Sequence, residues 1–149
     1  MEINVVGSYL VACEVASKIA SNRDLANIDV DDERGSIVLV SSVAGFEGQL
    51  GQTAYATSKG AIRGLVLPLA RDLVPWGIRV NAIAPGVFET AMSQYLNKTA
   101  RIKLEQQLEF PKRFGNAGEF AALAVCLIQN KMMNGEIVRL DGATRLGKL

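Results

Sequence analysis

Two apolar, β-rich runs separated by one long helical pattern restrict this chain to a parallel sheet. Ile37-Val38-Leu39-Val40 and Ile78-Arg79-Val80-Asn81-Ala82-Ile83-Ala84 read as strands buried on both faces. Between them a helix is expected from Gln52 or Tyr55 to Leu73, with Ala61, Ile62, Leu65, Leu69 and Leu73 as its apolar stripe. Pro75 and Gly77 announce its end. Pro68 interrupts it, and since an interior proline costs roughly 3 kcal/mol, it predicts a kink that packing tolerates. A strand–helix–strand order of this kind is a right-handed βαβ unit. Ser42 follows the first strand and Pro85-Gly86 stops the second, so both strand ends converge on one sheet edge, where open α/β sheets bind their ligands.

The flanking segments complete an α/β pattern. Val6, Leu10, Cys13, Val15, Ala16 and Ile19 predict an amphipathic helix over residues 3–20, with Asn4 near its start. Residues 21–35 read as a solvated connection, and the cluster Asp29-Val30-Asp31-Asp32-Glu33 lacks the glycine and terminal glutamate of an EF-hand. Asn116-Ala117-Gly118-Glu119 reads as a capping box that opens a helix carrying Phe120, Leu123, Ala124, Leu127 and Ile128. Ile137-Val138-Arg139-Leu140 supplies a last strand. Phe88, Met92, Tyr95, Leu96, Leu104, Leu108 and Phe110 serve equally as the wall of a greasy substrate site or as inter-helix contacts. Lys98, Arg101 and Lys103 could approach the phosphates of a CoA thioester, but a solvated helix face is the favoured reading.

At 149 residues the chain is expected to form one domain over 1–149. Its 49% hydrophobic content is high for a domain of this size, which suits faces meant to pack on further strands or other subunits. A net charge of +1 argues against nucleic-acid or membrane-surface partners, and no unbroken apolar run approaches the ~18 residues of a membrane span. The absence of histidine removes Ser-His-Asp and Cys-His catalysis and the commonest metal ligand, so no metal is expected. Cys13 and Cys126 sit in apolar helical patterns as small hydrophobes, which fits a reducing compartment. No targeting segment is visible, and Gly147-Lys148-Leu149 departs from a peroxisomal address at its first residue. A cytoplasmic or mitochondrial-matrix location is expected.

Thirteen residues after Ser42 stands Tyr55, and Lys59 follows one helical turn later. At i,i+4 the two side chains share a helix face, where an ammonium favours the phenolate form of its neighbour. A tyrosine that exchanges protons near neutrality needs such a charge, because the unperturbed group ionises near pH ~10. Tyr and Lys at this spacing also occur as a plain surface pair; Ser42 at a strand end changes the odds.

Ser42 with Tyr55-Ala56-Thr57-Ser58-Lys59 resembles the signature of the short-chain dehydrogenases/reductases, and Asn81 to Thr90 resembles that family's segment around the nicotinamide. The segments 46–49, 67–73 and 135–143 look most like the branch acting on 3-hydroxyacyl-CoA thioesters. The resemblance implies a partial Rossmann-like, doubly wound parallel sheet lacking its amino-terminal strands, because no Gly-rich phosphate-binding turn occurs here. It also implies hydride transfer between NAD, with NADP left open, and a secondary alcohol or ketone.

In that family, Tyr55 would donate or accept the proton, Ser42 would hold the substrate oxygen, and Lys59 would act on Tyr55 and bind the nicotinamide ribose. Asn4 would order a water leading to Lys59. Pro85, Gly86, Val87 and Thr90 would lie on the cofactor, while Glu89 departs from the residue expected beside Thr90. The family assembles through the helices equivalent to 3–20 and 55–73, which implies a homo-oligomer. The alternative is a catalytically inactive truncated fragment that acts, if at all, through subunit association. An in-frame strand and Gly-rich turn encoded upstream of Met1 would discriminate the two.

Overall fold

Strand β2 (Ile78–Pro85) is the centre of a three-stranded parallel sheet, paired with β1 (Gly35–Val40) on one side and β3 (Ile137–Leu140) on the other. The computed structural model describes residues 1–21, 32–91, 93–95 and 97–145. Ile37 lies opposite Val80, and Ala82 opposite Ile137. Around the sheet stand α1 (Ser8–Ser21), continuous with a π-helical turn at Glu2–Gly7, then α2 (Thr53–Asp72), α3 (Lys98–Gln106) and α4 (Ala117–Gln129). All three strands and the long helix fall where the sequence patterns place them, and α2 runs through Pro68 without ending.

Burial divides the two apolar runs. Every residue from Ile78 to Ala84 is buried, whereas in β1 only Ile37 is, and Val40 is 47% exposed. Among the described residues β1 pairs on one side only, and α2 lies mainly over β2, so an apolar composition shared by the two strands yields different burial. On one sheet face, Ile78 and Val80 pack with Ile37, with Leu69 and Ala70 of α2, and with Ala12 and Ala16 of α1. Period-2 alternation sends Arg79 and Asn81 to the opposite face, toward α4.

The buried stripe of α1 differs from the expected one. Val6, Leu10 and Val15 are exposed, and the helix presents Ala12 and Ala16 to the sheet with Ile19 packed beside them. Small side chains let the helix sit close; a Cβ on Gly35 of β1 would lie 2.8 Å from Ile19 Cδ1. The helical span Glu2–Ser21 also corrects the reading that nothing here matches a membrane span. It has 20 residues at mean hydropathy 1.3, long and apolar enough by length and composition to cross a membrane. Isolated charges such as Glu14 and Lys18 break the apolar runs without lowering that average much.

The opposite face is organised by polar side chains of β2. Arg79, buried in the strand, donates from Nη1 to Leu127 O (2.8 Å) and Met133 O (2.7 Å), and from Nη2 to Ile128 O (2.6 Å) and Glu33 Oε1 (2.7 Å). It thereby satisfies carbonyls at the carboxyl end of α4 that have no helical partner. Asn81 donates to Met133 O and accepts from Glu136 N, and Asn134 Oδ1 accepts from Val80 N. Glu33, read as part of a solvated acidic cluster, is instead ion-paired with Arg79, while Asp29 to Asp31 lie outside the described residues, as do residues 147–149. Both cysteines are free thiols, Cys126 exposed on α4 and Cys13 half-buried.

The capping box at α4 forms as the sequence indicates: Asn116 Oδ1 accepts from Glu119 N at 3.0 Å, and Glu119 Oε2 accepts from Asn116 N at 2.8 Å. Arg113 adds a two-pronged contact to the same carboxylate, and these partners pull the Glu119 carboxyl down to about 2. The contribution of this carboxylate is complete above its unfolded value and is lost as pH falls through about 2. Carbon-13 NMR of the Glu119 side chain should titrate with that midpoint, and Arg113→Ala, which removes the largest cause, should raise it. Arg79→Met strands several buried carbonyls and Glu33 at once; urea denaturation should show a loss of about 2–4 kcal/mol.

Candidate functional site

The chain leaving β1 is fastened to α2 by contacts that need no long side chains from the core. Ser42 caps the short 3-10 turn Val43–Gly45, its Oγ accepting from Ala44 N at 3.1 Å. Ser41 Oγ donates to Lys59 O at 2.9 Å, and Arg63 Nη1 donates to Gly45 O at 2.7 Å. The Arg63 guanidinium also sits 3.6 Å from the Phe46 ring centre. At Gly45 the two backbones meet so closely that a Cβ would lie 2.8 Å from the Lys59 carbonyl carbon. Glycine is the residue that permits this approach.

Ser42 and Tyr55 line one cavity of about 620 Å³ at the carboxyl ends of β1 and β2. Pro85, Gly86, Val87 and Thr90 line it as well. Lys59 and Asn4 are not among its lining residues. Lys59 Nζ lies 5.9 Å from the centre of the Tyr55 ring and donates to Val40 O at 3.0 Å, beside the end of β1. Asn4 Nδ2 donates to Ser58 Oγ at 3.2 Å, and Ser58 Oγ donates to Tyr55 O at 2.8 Å, so Asn4 meets α2 one residue before Lys59.

Beyond β2 the loop is held on both sides. Gly86 passes Asp141 so closely that a Cβ would lie 3.1 Å from the Asp141 Cα, and Gly115 N donates to Val87 O at 3.0 Å. Phe88 stacks edge-to-face on Phe120 with ring centres 6.0 Å apart. Thr90 N donates to Ser93 Oγ at 2.9 Å, and Thr90 Oγ1 accepts from Ser93 N at 3.3 Å. Glu89, the residue out of keeping with the family pattern, pairs with Arg101 of α3, and that guanidinium holds its carboxyl below the usual range.

Of the expected greasy wall, Phe88, Leu104 and Leu108 line the cavity. Tyr95 and Phe110 do not, being 90% and 82% exposed, because apolar character alone does not fix which way a loop side chain faces. Met92 and Leu96 lie outside the described residues. Lys98 and Lys103 are exposed, and Arg101 is engaged by Glu89 and Glu105. Sequence reasoning gave no role to three glutamines that line the cavity, Gln49, Gln52 and Gln107. Gln49 Nε2 donates to Gln107 Oε1 at 3.3 Å across 58 residues of chain, a pairing that no local pattern announces.

A model of the short chain dehydrogenase family matches residues 1–101. The 3-hydroxyacyl-CoA dehydrogenase type-2 of Bos taurus is 44% identical over 146 residues, covering 98% of this chain and 54% of that protein. The crystal structure of 3-hydroxyacyl-CoA dehydrogenase type-2 from Mycobacterium avium superposes with a TM-score of 0.88 at 44% identity, over 99% of this chain and 56% of that one. A 4-hydroxyisoleucine dehydrogenase mutant complexed with NADH and succinate gives a TM-score of 0.82 at 25% identity, over 99% of this chain and 58% of that one. The chain thus spans about half the length of the relatives it matches.

Gly45→Ala should push the turn after Ser42 away from α2, since the obstructing atoms are backbone. The expected cost is about 1–3 kcal/mol by chemical denaturation, with amide shifts in NMR spectra concentrated at residues 42–46 and 59–63. A variant as stable as the parent would mean that the two segments are not tightly fastened.

Proposed function

We infer the chemistry of this site from one premise: the chain belongs to the short-chain dehydrogenase family. The function proposed is oxidoreduction, with hydride passing between NAD(P) and a secondary alcohol or ketone. The observation that carries it is that Ser42 and Tyr55 line one cavity at the strand ends, with the Lys59 ammonium one turn beyond Tyr55.

In the oxidising direction the Tyr55 oxygen takes the hydroxyl proton of the substrate, and in the reducing direction it returns it. Ser42 Oγ hydrogen-bonds the same oxygen, fixed in advance by its place at the cap of a tight turn. Lys59 supplies positive charge beside the phenol and is itself anchored on the end of β1. Asn4, bonded to Ser58 and through it to the Tyr55 carbonyl, would order a water leading to Lys59. Nicotinamide, when bound, is the hydride donor or acceptor. Its end of the cofactor fits the residues present, because Pro85, Gly86, Val87 and Thr90 line the cavity that Ser42 and Tyr55 share. Tyr55 and Lys59 complete that contact set.

The substrate reading is a 3-hydroxyacyl-CoA or a related hydroxy compound. An apolar wall of Phe88, Leu104, Leu108 and Phe120 suits an acyl chain, and the amide groups of Gln49, Gln52 and Gln107 suit a polar group carried with it. The named relatives act in the same chemical class by their titles. A homo-oligomer is part of the proposal, supported by Tyr9, Leu10, Val11 and Val15 standing exposed along α1. The same face favours a second reading, a chain that associates with other subunits without turning over substrate itself.

The test joins this chain to the amino-terminal half of a relative and measures NADH binding and turnover of acetoacetyl-CoA. Tyr55→Phe should lower kcat about 10²–10⁴-fold, the usual worth of such a proton-transfer group, with the fold kept. A rate within a few-fold of the parent would sink the assignment of Tyr55.

A further inference from the structure

Helix α3 forms part of the cavity wall through Leu104, continued by Gln107 and Leu108 just beyond its end, yet none of the nine residues of α3 itself is buried. Asn97 caps it locally, accepting from Ala100 N at 2.8 Å. A helix with no buried residue draws little stability from hydrophobic packing, so the polar contacts that tie it to the body decide how firmly it is placed. Among the described residues those contacts sit at two points. Gln107 accepts from Gln49 just beyond the carboxyl end, and Arg101 engages Glu89 near the middle.

The Arg101 contact is the better built. Arg101 Nη2 donates to Glu89 Oε1 and Nη1 approaches Oε2 at 3.4 Å, giving a two-pronged pair, while Ser93 Oγ donates to Glu89 Oε2 at 3.2 Å. The guanidinium is held from behind by the buried Phe114 ring, 4.7 Å to its centre, and by Glu105 Oε1 at 2.9 Å on the same helix. Arg101 is thus pre-set to face Glu89, which lowers the side-chain entropy lost in pairing. Glu89 stands beside Thr90 in the loop that lines the cavity next to Ser42 and Tyr55.

We propose that Glu89 and Arg101 are positioning residues, an ionic latch that fixes α3, and with it the apolar wall of the cavity, to the loop carrying Val87 and Thr90. This rests on the functional reading only for the identity of what the cavity holds. The pair links the wall that would face the acyl group to the loop that would face the nicotinamide, so displacement of either is felt by the other. Glu105 shares Arg101 but lies on α3 itself, and therefore stiffens the helix without joining it to the loop.

Hydrogen exchange of the 149-residue chain followed by mass spectrometry separates these roles. Glu89→Gln should speed exchange of residues 98–108 about two- to fivefold, the range for an exposed ion pair, with β2 and α2 unchanged. Glu89→Asp should recover part of the protection, and Glu105→Gln should alter residues 98–108 less than Glu89→Gln does. Exchange in Glu89→Gln equal to the parent, or an equal rise in Glu105→Gln, would overturn the latch. Millimolar acetoacetyl-CoA forms the second arm and should slow exchange of α3 more in the parent than in Glu89→Gln. If it slows neither protein, the acyl-CoA reading falls, and the first arm still decides the latch.

Discussion

Arg79 lies inside the fold with its guanidinium surrounded by the carbonyls of Leu127, Ile128 and Met133 and by the carboxylate of Glu33. A buried charge is tolerated only when paired and hydrogen-bonded, and here the partners come from three separate stretches of chain. The end of α4, the turn at Met133 and the approach to β1 are thereby referred to one point on β2. Asn81 and Asn134 add the bonds that set the turn before β3, and β3 enters opposite Ala82. From that register follow Asp141 against Gly86 and the shape of the loop beyond β2. The site is downstream of a polar knot on the far face of the sheet.

What the sequence made legible was local. Helix α2, the three strands and the capping box at Asn116 each rest on spacing within one element, and each appears where the pattern puts it. The juxtaposition of Ser42 and Tyr55 on one cavity followed from strand-end geometry, although Lys59 and Asn4 reach α2 and β1 rather than the cavity itself. Failures arose where a neighbour decides the outcome. Of the apolar stripe expected on α1, Ala16 and Ile19 pack on the core, whereas Val6, Leu10 and Val15 are exposed and Ala12 takes the inward position, since close packing there favours small side chains over large ones. Arg79 and Asn81 were absorbed into an apolar strand although their polar ends do the organising.

Pairings between distant segments left no trace in any window. Glu89 was visible only as a residue out of keeping with its surroundings, and its partner twelve positions on became evident once α3 was placed. Gln49 and Gln107 belong to the same class. Tyr95 and Phe110 show the converse, two aromatic side chains that composition assigns to a wall or to inter-helix contacts and geometry leaves in solvent.

The fastening at Gly45 bears on how such a site changes over time. Because the turn after Ser42 meets α2 backbone to backbone at Gly45, with the Ser41 and Arg63 side chains tying it there, the spacing between Ser42 and the helix that carries Tyr55 depends on glycine at that one position. The placement of α3 against the loop after β2 instead rests on side-chain pairs, Glu89 with Arg101 and Gln49 with Gln107. A side-chain change in α3 can therefore reshape the cavity while Ser42 keeps its place against α2.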